Sequence, residues 1–191
     1  SLAASADVRL PGFFNDHMVL QRDMPVAVWG WAAEGEEVSV QLGDKAAVKA
    51  AAGKDGAWKV QLPATPAGGP VVLVVKGRNE IRISDVLVGE VWLCSGQSNM
   101  EWIMGKEDRY PGVPHGDEEV AKPERAHLRI FSDDAQPIWE NRGWQRCGGE
   151  ALRRILVLVD VRQETLGVEE DRVCAGRHHD RHAGLEKAPS Q

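Results

Sequence analysis

Apolar and polar residues alternate along short segments in the first half of the chain. The alternation is clearest at 37–42, Glu-Val-Ser-Val-Gln-Leu, and at 58–62, Trp-Lys-Val-Gln-Leu, where every second residue is apolar. A period of two is typical of strands with one buried and one solvated face. Turn-forming residues separate such segments, as in Lys-Asp-Gly at 54–56 and Pro-Ala-Gly-Gly-Pro at 66–70. The pattern predicts that residues 1–88 form an antiparallel β-sandwich.

The pattern changes after the last of these segments. Positions 91–94, Val-Trp-Leu-Cys, are almost continuously apolar, which indicates a strand buried on both faces of an α/β sheet. Residues 104–124 are rich in Gly, Pro and charge and predict a long surface loop. A further strand is expected at 127–131, and another strand or turn near Trp144. We therefore predict that a second, α/β domain begins at 89 and that 89–150 are its first part.

The composition changes again near residue 150. All seven Trp, the Tyr and all three Phe precede that position, whereas three of the six His follow it. The segment 154–161 has the apolar residues of a buried strand, but the remainder from 167 onward has the composition of solvated coil or weak helix. We expect 151–191 to be an atypical tail, either frame-shifted, unrelated to the rest or disordered.

Charge and hydropathy exclude two classes of partner. The 191 residues carry 23 Lys and Arg against 29 Asp and Glu, a net charge of -6, and contain no basic run. Nucleic acid is therefore not an expected partner. The longest apolar runs, such as 71–75 and 155–159, have about half a dozen residues, whereas a membrane-spanning helix needs roughly 20. A membrane is not expected either.

The N-terminal sequence gives the only hint about location. Ala-Ser-Ala at 4–6 fits the small-residue pattern at which signal peptides are cut, so we expect a secreted or periplasmic protein. An ordinary terminus rich in Ala and Ser fits this sequence equally well. Cys94, Cys147 and Cys174 are three in number and far apart, so no disulfide framework is predicted.

The segment 93–102, LCSGQSNMEW, carries the candidate chemistry. Ser98 and Glu101 have the spacing of a capping box, which would open a helix after the strand. A serine at such a turn also lies beside the N–H groups of the first helical turn, and these could stabilise an oxyanion. Gly96 permits a tight turn before Ser98. Met100 stands where the Gly-x-Ser-x-Gly elbow has its second glycine, so a different serine-hydrolase design would be needed.

Three blocks of the sequence resemble a known family. They are DHMVLQR at 16–22, PVAVWGWA at 25–32 and, above all, VLVGEVWLCSGQSNMEW at 86–102. They look like the sialate O-acetylesterases of the SGNH-hydrolase superfamily, and the resemblance extends over about residues 8–145. It implies a β-sandwich followed by a partial α/β, flavodoxin-like SGNH hydrolase domain. It also implies removal of O-acetyl groups from sialic acids or related acetylated sugars through a serine acyl-enzyme, with no metal or organic cofactor.

Only the nucleophile block of that family can be matched residue by residue. Ser98 is implied as the nucleophile and its backbone N–H as one oxyanion donor, with Gly96, Gln97 and Asn99 in support. The family's later blocks supply a Gly and an Asn to the oxyanion hole and an Asp and a His just before a Pro, and no such blocks occur here. We therefore expect an incomplete esterase. A non-catalytic carbohydrate-binding or assembly module, or a structural domain with a capped helix at Ser98, are the alternatives.

The histidines of the tail do not replace the missing block. No Pro follows any histidine of 178–182, and this cluster is too close to Ser98 in sequence. Cys174, His178 and His182 have the spacing of one helix face and could bind a metal, but glycines in the same segment weaken a helix. A solvated tail is the preferred interpretation.

Other aromatic and histidine residues have a structural interpretation beside a functional one. Trp29, Trp31 and Trp58 could stack on sugar rings, but alternating Trp residues in a sandwich are more often part of the core. His127 lies beside the predicted strand at 127–131 and is a candidate base for Ser98, although the family resemblance gives it no role.

Overall fold

The computed structural model describes residues 7–96, 103–106, 112–123, 125–133, 143–149, 172–178 and 184–187. These residues form mostly strands, with a short helix, and the backbone alone is described for some strand ends and for the last two segments. The elements in chain order are β1 Val19–Gln21, β2 Val26–Trp31, β3 Glu37–Leu42, β4 Val48–Ala51, β5 Ala57–Leu62, β6 Gly68–Lys76, β7 Glu80–Gly96, α1 Gly116–Val120, β8 Arg125–Asp133, β9 Trp144–Cys147, β10 Arg172–His178 and β11 Gly184–Lys187.

The strands form one large mixed sheet and one small sheet. The large sheet has nine strands in the order β4-β3-β6-β7-β10-β8-β9, and β1 and β11 also pair with β7. β7 is parallel to β1 and β10 and antiparallel to β6 and β11. The small sheet consists of the antiparallel pair β2 and β5. β7 is therefore the strand with the most partners in the described part of the chain.

The alternating pattern predicted from the sequence is confirmed in the core. On β3 and β5 every second residue is buried, and the residues between them lie on the outer faces. The buried residues of the small sheet and of β3, β6 and β7 belong to one hydrophobic cluster, so the two sheets cover each other's apolar faces. Its fully buried strand residues include Val28, Val38, Val40, Leu73, Val75 and Val86.

β7 corrects one expectation from the sequence. The sandwich was expected to end at residue 88 and a new strand was expected at 91–94, whereas the structure has one strand of 17 residues. Gly89 is buried and extended, and no Pro or turn follows it, so the strand continues. The partners change at this point: β1 pairs as far as Gly89, and β10 begins opposite Glu90. The expected domain boundary therefore falls inside β7.

The second half of the chain matches the expectations only in part. The strands expected at 127–131 and near Trp144 are confirmed as β8 and β9. The expected loop at 104–124 contains α1, whose Val120 is buried. The expectation of coil or weak helix is wrong for β10, which pairs with β7 on one side and β8 on the other. Pairing on both edges can fix a strand whose local sequence is ambiguous.

Core packing gives the first prediction. Leu73 is fully buried between the sheets, and Leu73→Ala removes three carbon atoms from a site that cannot collapse freely. We expect it to lower the free energy of unfolding by about 2–5 kcal/mol. Urea denaturation followed by circular dichroism measures this difference. Lys54→Ala, on an exposed turn, is the control and should change stability by less than about 0.5 kcal/mol. Equal stability of the two variants would contradict the assignment of this core.

Candidate functional site

The candidate nucleophile lies just beyond the described end of β7. Gly96 is the last residue of that strand, and its extended pairing means that any tight turn begins after it. The predicted residues Gln97, Ser98 and Asn99, with the capping partner Glu101, lie outside the described residues. The strand that leads to Ser98 can therefore be described, and the assignments of these side chains stay predictions.

Three parallel strands end together where β7 ends. Gly96 pairs with His178 at the end of β10, and Arg177 pairs with Asp133 at the end of β8. The carboxyl ends of β7, β10 and β8 are thus level at one edge of the sheet. Ligands of open α/β sheets bind beside the carboxyl ends of parallel strands. In the sequence, Ser98 follows Gly96 by two residues.

The register excludes His127 as a base for Ser98. Arg129 and Val91 both pair with Val173, so His127, two residues earlier on β8, is level with Gly89. Seven residues of strand separate Gly89 from Gly96, which is about 23 Å at about 3.3 Å per residue. A general base must lie within hydrogen-bond distance of its proton, about 3 Å. His127 lies at the opposite end of the strands.

The first of the three blocks that carry the family resemblance, residues 16–22, lies along the strand that contains most of the third block, residues 86–102. Residues 16–22 run beside β7, and Val19, Leu20 and Gln21 pair with Leu87, Val88 and Gly89. The Gln21 amide oxygen accepts the N–H of Val91 at 2.9 Å, and its amide nitrogen donates to Glu90 at 3.2 Å. Arg22 forms an ion pair with Glu90 at 3.0 Å. These contacts fix the part of β7 around Glu90 and Val91, which leads to the nucleophile block.

A bulge in β7 directs the carboxylate of Asp85 toward β8, β9 and the loop before β1. The pairing of β6 with β7 shifts by one residue between the pairs Leu73↔Ile83 and Val71↔Val86. β7 therefore has one extra residue in the stretch that contains Asp85, whose φ is 55°. Asp and Asn tolerate this left-handed conformation better than most residues. The bulge re-aims the Asp85 side chain, as bulges beside functional regions do.

Three side chains converge on one oxygen of Asp85, and we call these four residues the Asp85 cluster. Its Oδ2 lies 2.7 Å from Nδ1 of His17, 3.0 Å from Nη2 of Arg129, and 3.0 and 2.9 Å from Nε and Nη2 of Arg146. Arg129 is 2% exposed and Asp85 is 13% exposed at their side chains. The cluster therefore joins β7, β8, β9 and the loop before β1, with Arg129 buried, Asp85 largely buried and His17 and Arg146 on its exposed side.

The cluster sets the protonation of Asp85. Burial raises the pKa of the Asp85 carboxyl, but hydrogen bonds from His17 and Arg146 and the charges of Arg129 and Arg146 lower it, and the net pKa lies below its ordinary value. Asp85 is thus ionised at neutral pH and balances the buried guanidinium of Arg129. Arg129 also donates from Nη1 to the carbonyls of Ala126 and Leu128.

Sequence reasoning missed the Asp85 cluster, although a signal for the bulge was present. The apolar positions 81 and 83 are followed by 86 and 88, so the alternation changes phase by one residue at Ser84 and Asp85. Such a phase change is what one extra strand residue produces. The residues that pair with Asp85 come from distant segments and could not be identified from spacing.

The three tryptophans considered for sugar stacking are placed differently. Trp58 is 3% exposed and lies in the core, as preferred. Trp29 and Trp31 are 37% and 40% exposed and lie on the outer face of β2, so the core interpretation is wrong for these two.

Cys174 and His178, two of the three candidate metal ligands, lie on strand β10, which does not give them helical spacing, and the third candidate, His182, is outside the described residues.

Within the described segments, no group of three or more His, Cys, Asp or Glu side chains is placed to hold a metal ion. No helix in these segments is long and apolar enough to cross a bilayer.

The Asp85 cluster gives the second prediction. Asp85→Asn keeps the shape and the backbone conformation but leaves the buried Arg129 guanidinium without its carboxylate. Breaking a buried ion pair on one side is strongly destabilising, so we expect the free energy of unfolding at pH 7 to fall by about 3 kcal/mol. The control is Glu80→Gln, which removes an exposed carboxylate from the same strand and should have a much smaller effect.

The same pair of proteins tests the pH dependence. Because the pKa of Asp85 is lowered in the folded state, its contribution is complete above the ordinary carboxyl pKa, about 3.9, and is lost as pH falls through the lower folded value. The stability difference between the wild-type chain and Asp85→Asn should therefore shrink in acid. Urea denaturation from pH 7 to pH 3 measures it. A difference that grows in acid would contradict the assigned protonation.

The chain is similar to known proteins in sequence and in structure. No model of a protein family matches the chain. It is 36% identical to the sialate O-acetylesterase of Rattus norvegicus over 112 residues, which cover 53% of this chain and 21% of that protein. It is also 36% identical to the human sialate O-acetylesterase over 110 residues, 52% of this chain and 21% of that protein.

A solved structure resembles more of the chain. The crystal structure of a carbohydrate acetylesterase from Xanthomonas citri matches with a TM-score of 0.76 and 31% sequence identity, over 88% of this chain and 40% of that one. The chain spans about a fifth of the length of the curated relatives, 21%. The resemblance to sialate O-acetylesterases that the sequence blocks predict is thus confirmed, and it covers part of the chain and a smaller part of each relative.

Proposed function

We propose that this chain carries the nucleophile-bearing part of a carbohydrate esterase that removes O-acetyl groups from sialic acids or related acetylated sugars. The observation that carries this proposal is the likeness to a carbohydrate acetylesterase structure over 88% of the chain. The names of the curated relatives point to the same reaction class. The alternative of a non-catalytic carbohydrate-binding or assembly module is not favoured, because the relatives found are named as esterases.

The proposed domain organisation follows from the change of partners in β7. Residues 1–88 would be an antiparallel β-sandwich, supported by the single core shared between the small sheet and the large one. Residues 89–150 would be the first part of an SGNH hydrolase domain, supported by the second half of β7 and by β8, which run in the same direction on the two sides of β10. Residues 151–191, which supply β10 and β11, would be an atypical segment, either frame-shifted or unrelated to the rest of the chain. Secretion or a periplasmic location rests on residues 4–6 alone.

The proposed reaction is acyl transfer through Ser98. The Ser98 hydroxyl gives its proton to a base or to water as its oxygen attacks the acetyl carbonyl, and backbone N–H groups that follow Gly96 would hold the oxyanion of the tetrahedral intermediate. The bond from the carbonyl carbon to the sugar oxygen then breaks, and the sugar oxygen takes a proton. Water attacks the acetyl-enzyme and releases acetate, which restores the serine. Gly96, Gln97 and Asn99 would shape this turn, and the acetylated sugar is the partner implied.

The weak point of the proposed site is the base. A serine hydroxyl needs a nearby base to become nucleophilic at neutral pH, and the sequence holds no Asp and His before a Pro. His127 lies about 23 Å from Gly96 along the strands. Among the described histidines, His178 has its backbone level with Gly96. We therefore propose that the 191-residue chain turns over acetyl esters slowly, with His178 as the position to test for residual base catalysis.

The third prediction concerns this activity. General base catalysis contributes roughly 100 to 10,000-fold and one oxyanion donor roughly 100 to 1,000-fold. We expect the chain to hydrolyse 4-nitrophenyl acetate and 9-O-acetyl sialic acid at least about 100-fold more slowly than a protein with the missing C-terminal blocks restored. Acetate release measures both rates.

Matched variants decide between the outcomes. Ser98→Ala should abolish the activity of the restored protein, and its failure to do so would contradict Ser98 as the nucleophile. Robust Ser98-dependent turnover by the 191-residue chain would contradict the proposed deficit. In that case the loss of turnover in His178→Gln, with unchanged unfolding free energy, would identify the base.

A further inference from the structure

The outer face of the small sheet carries two exposed indole rings side by side. On β2 the buried residues alternate with Trp29 and Trp31, which both point to the outer face. They are two residues apart on one strand, so their Cα atoms are about 7 Å apart. Across the pair, Trp29 lies opposite Lys59 and Trp31 lies opposite Ala57. The small Ala57 leaves the Trp31 ring uncovered on that side.

The Trp29 ring is held in place by neighbouring aromatic rings. Its centroid lies 5.1 Å from those of Phe13 and Phe14, and the contact with Phe14 is edge-to-face at 84°. Edge-to-face packing is a favourable arrangement for aromatic pairs. A ring that is already fixed loses little conformational entropy when a ligand stacks on it. Trp29 is therefore a preorganised part of this face.

Two cations flank the indole rings. Arg9 exchanges two backbone hydrogen bonds with Trp31, so its side chain lies on the same face of the sheet as Trp31. Lys59 lies on that face beside Trp29, and both cations are exposed. Neither forms an ion pair within the described part of the chain, whereas Lys49 and Arg82 each pair with a glutamate on their own sheet.

We propose that this outer face, formed by Arg9, Trp29, Trp31 and Lys59, binds a carboxylate-bearing sugar, for which sialyllactose is a suitable probe. The C–H-rich faces of a pyranose ring stack on indole rings, and a carboxylate forms charge-assisted hydrogen bonds with guanidinium and ammonium groups. Both kinds of group are adjacent here. A neutral glycan would stack on the rings but would leave the two cations unpaired.

This binding surface goes beyond the proposed esterase function and does not involve Ser98. It lies on the small sheet of β2, Val26–Trp31, and β5, Ala57–Leu62, whereas Ser98 follows the carboxyl end of β7 in the sequence. A surface of this kind would hold the acidic glycan on the protein independently of turnover. It can therefore be tested in a protein whose nucleophile has been removed.

The experiment measures binding of sialyllactose and of lactose to the Ser98→Ala chain by isothermal titration calorimetry. Sialyllactose should bind, and lactose should bind at least about tenfold more weakly because it lacks the carboxylate, a difference of about 1.4 kcal/mol. Lys59→Gln should reduce this ratio about tenfold. Trp31→Ala, which leaves the Trp29 contacts with Phe13 and Phe14 intact, should weaken both sugars at least about tenfold. Lys49→Gln is the matched control and should bind as the parent does.

Several results would overturn the proposal. They are absence of sialyllactose binding by the parent chain, and unchanged binding by Trp31→Ala or Lys59→Gln. Sedimentation velocity of the same proteins adds a further outcome. A dimer in the parent chain that becomes a monomer in Trp31→Ala would assign the face to a second copy of the chain instead of a glycan. Circular dichroism of each variant shows whether the fold is kept, and a variant that unfolds is replaced by Trp31→Leu.

Discussion

A single carboxylate oxygen, Oδ2 of Asp85, links β7 to three other parts of the fold. It accepts hydrogen bonds from His17, Arg129 and Arg146, which come from the loop before β1, from β8 and from β9. Arg129 is almost fully buried, and a buried guanidinium is tolerated only when it is paired. The strand β10 joins β7 and β8 through the backbone, and the side-chain contact between β7 and β8 depends on the ionised Asp85, which the bulge directs toward Arg129.

The long strand β7 explains why the bulge has consequences at the candidate site. Up to Gly89 the strand pairs with β6 and β1, and from Glu90 onward it pairs with β10 and β11. The first resemblance block, 16–22, lies along the strand through this change. Its His17 contacts Asp85, and its Gln21 contacts Glu90 and Val91. The block 16–22 is distant from β7 in sequence but thus supports this strand, which ends before Ser98.

Much of the fold could be predicted from periodicity. The strands around Val38, Val60 and Ile130 have patterns that a single buried face or a buried strand imposes, and these patterns are local. The segment at β10 could not be predicted, because its strand conformation comes from pairing with β7 and β8 rather than from its own residues. The Asp85 cluster was missed for the same reason: its members are brought together only by the sheet.

The candidate site was predictable to a different extent. The resemblance assigned Ser98 from its sequence block, and that assignment stays a prediction. Register, which only the folded sheet provides, removed His127 from consideration and placed the backbone of His178 level with Gly96. The exposure of Trp29 and Trp31 also depended on the fold. An apolar residue on an alternating strand belongs to the core only if its face is covered, and the sequence does not say which face that is.

A double-mutant cycle between Asp85 and Arg129 tests the central claim most directly. The unfolding free energies of the wild-type chain, Asp85→Asn, Arg129→Met and the double variant are measured by urea denaturation at pH 7. If the carboxylate and the buried guanidinium depend on each other, the double variant is more stable than the sum of the single effects predicts, by about 1–3 kcal/mol. Additive effects within about 0.5 kcal/mol would contradict the claim that Asp85 links β7 to β8.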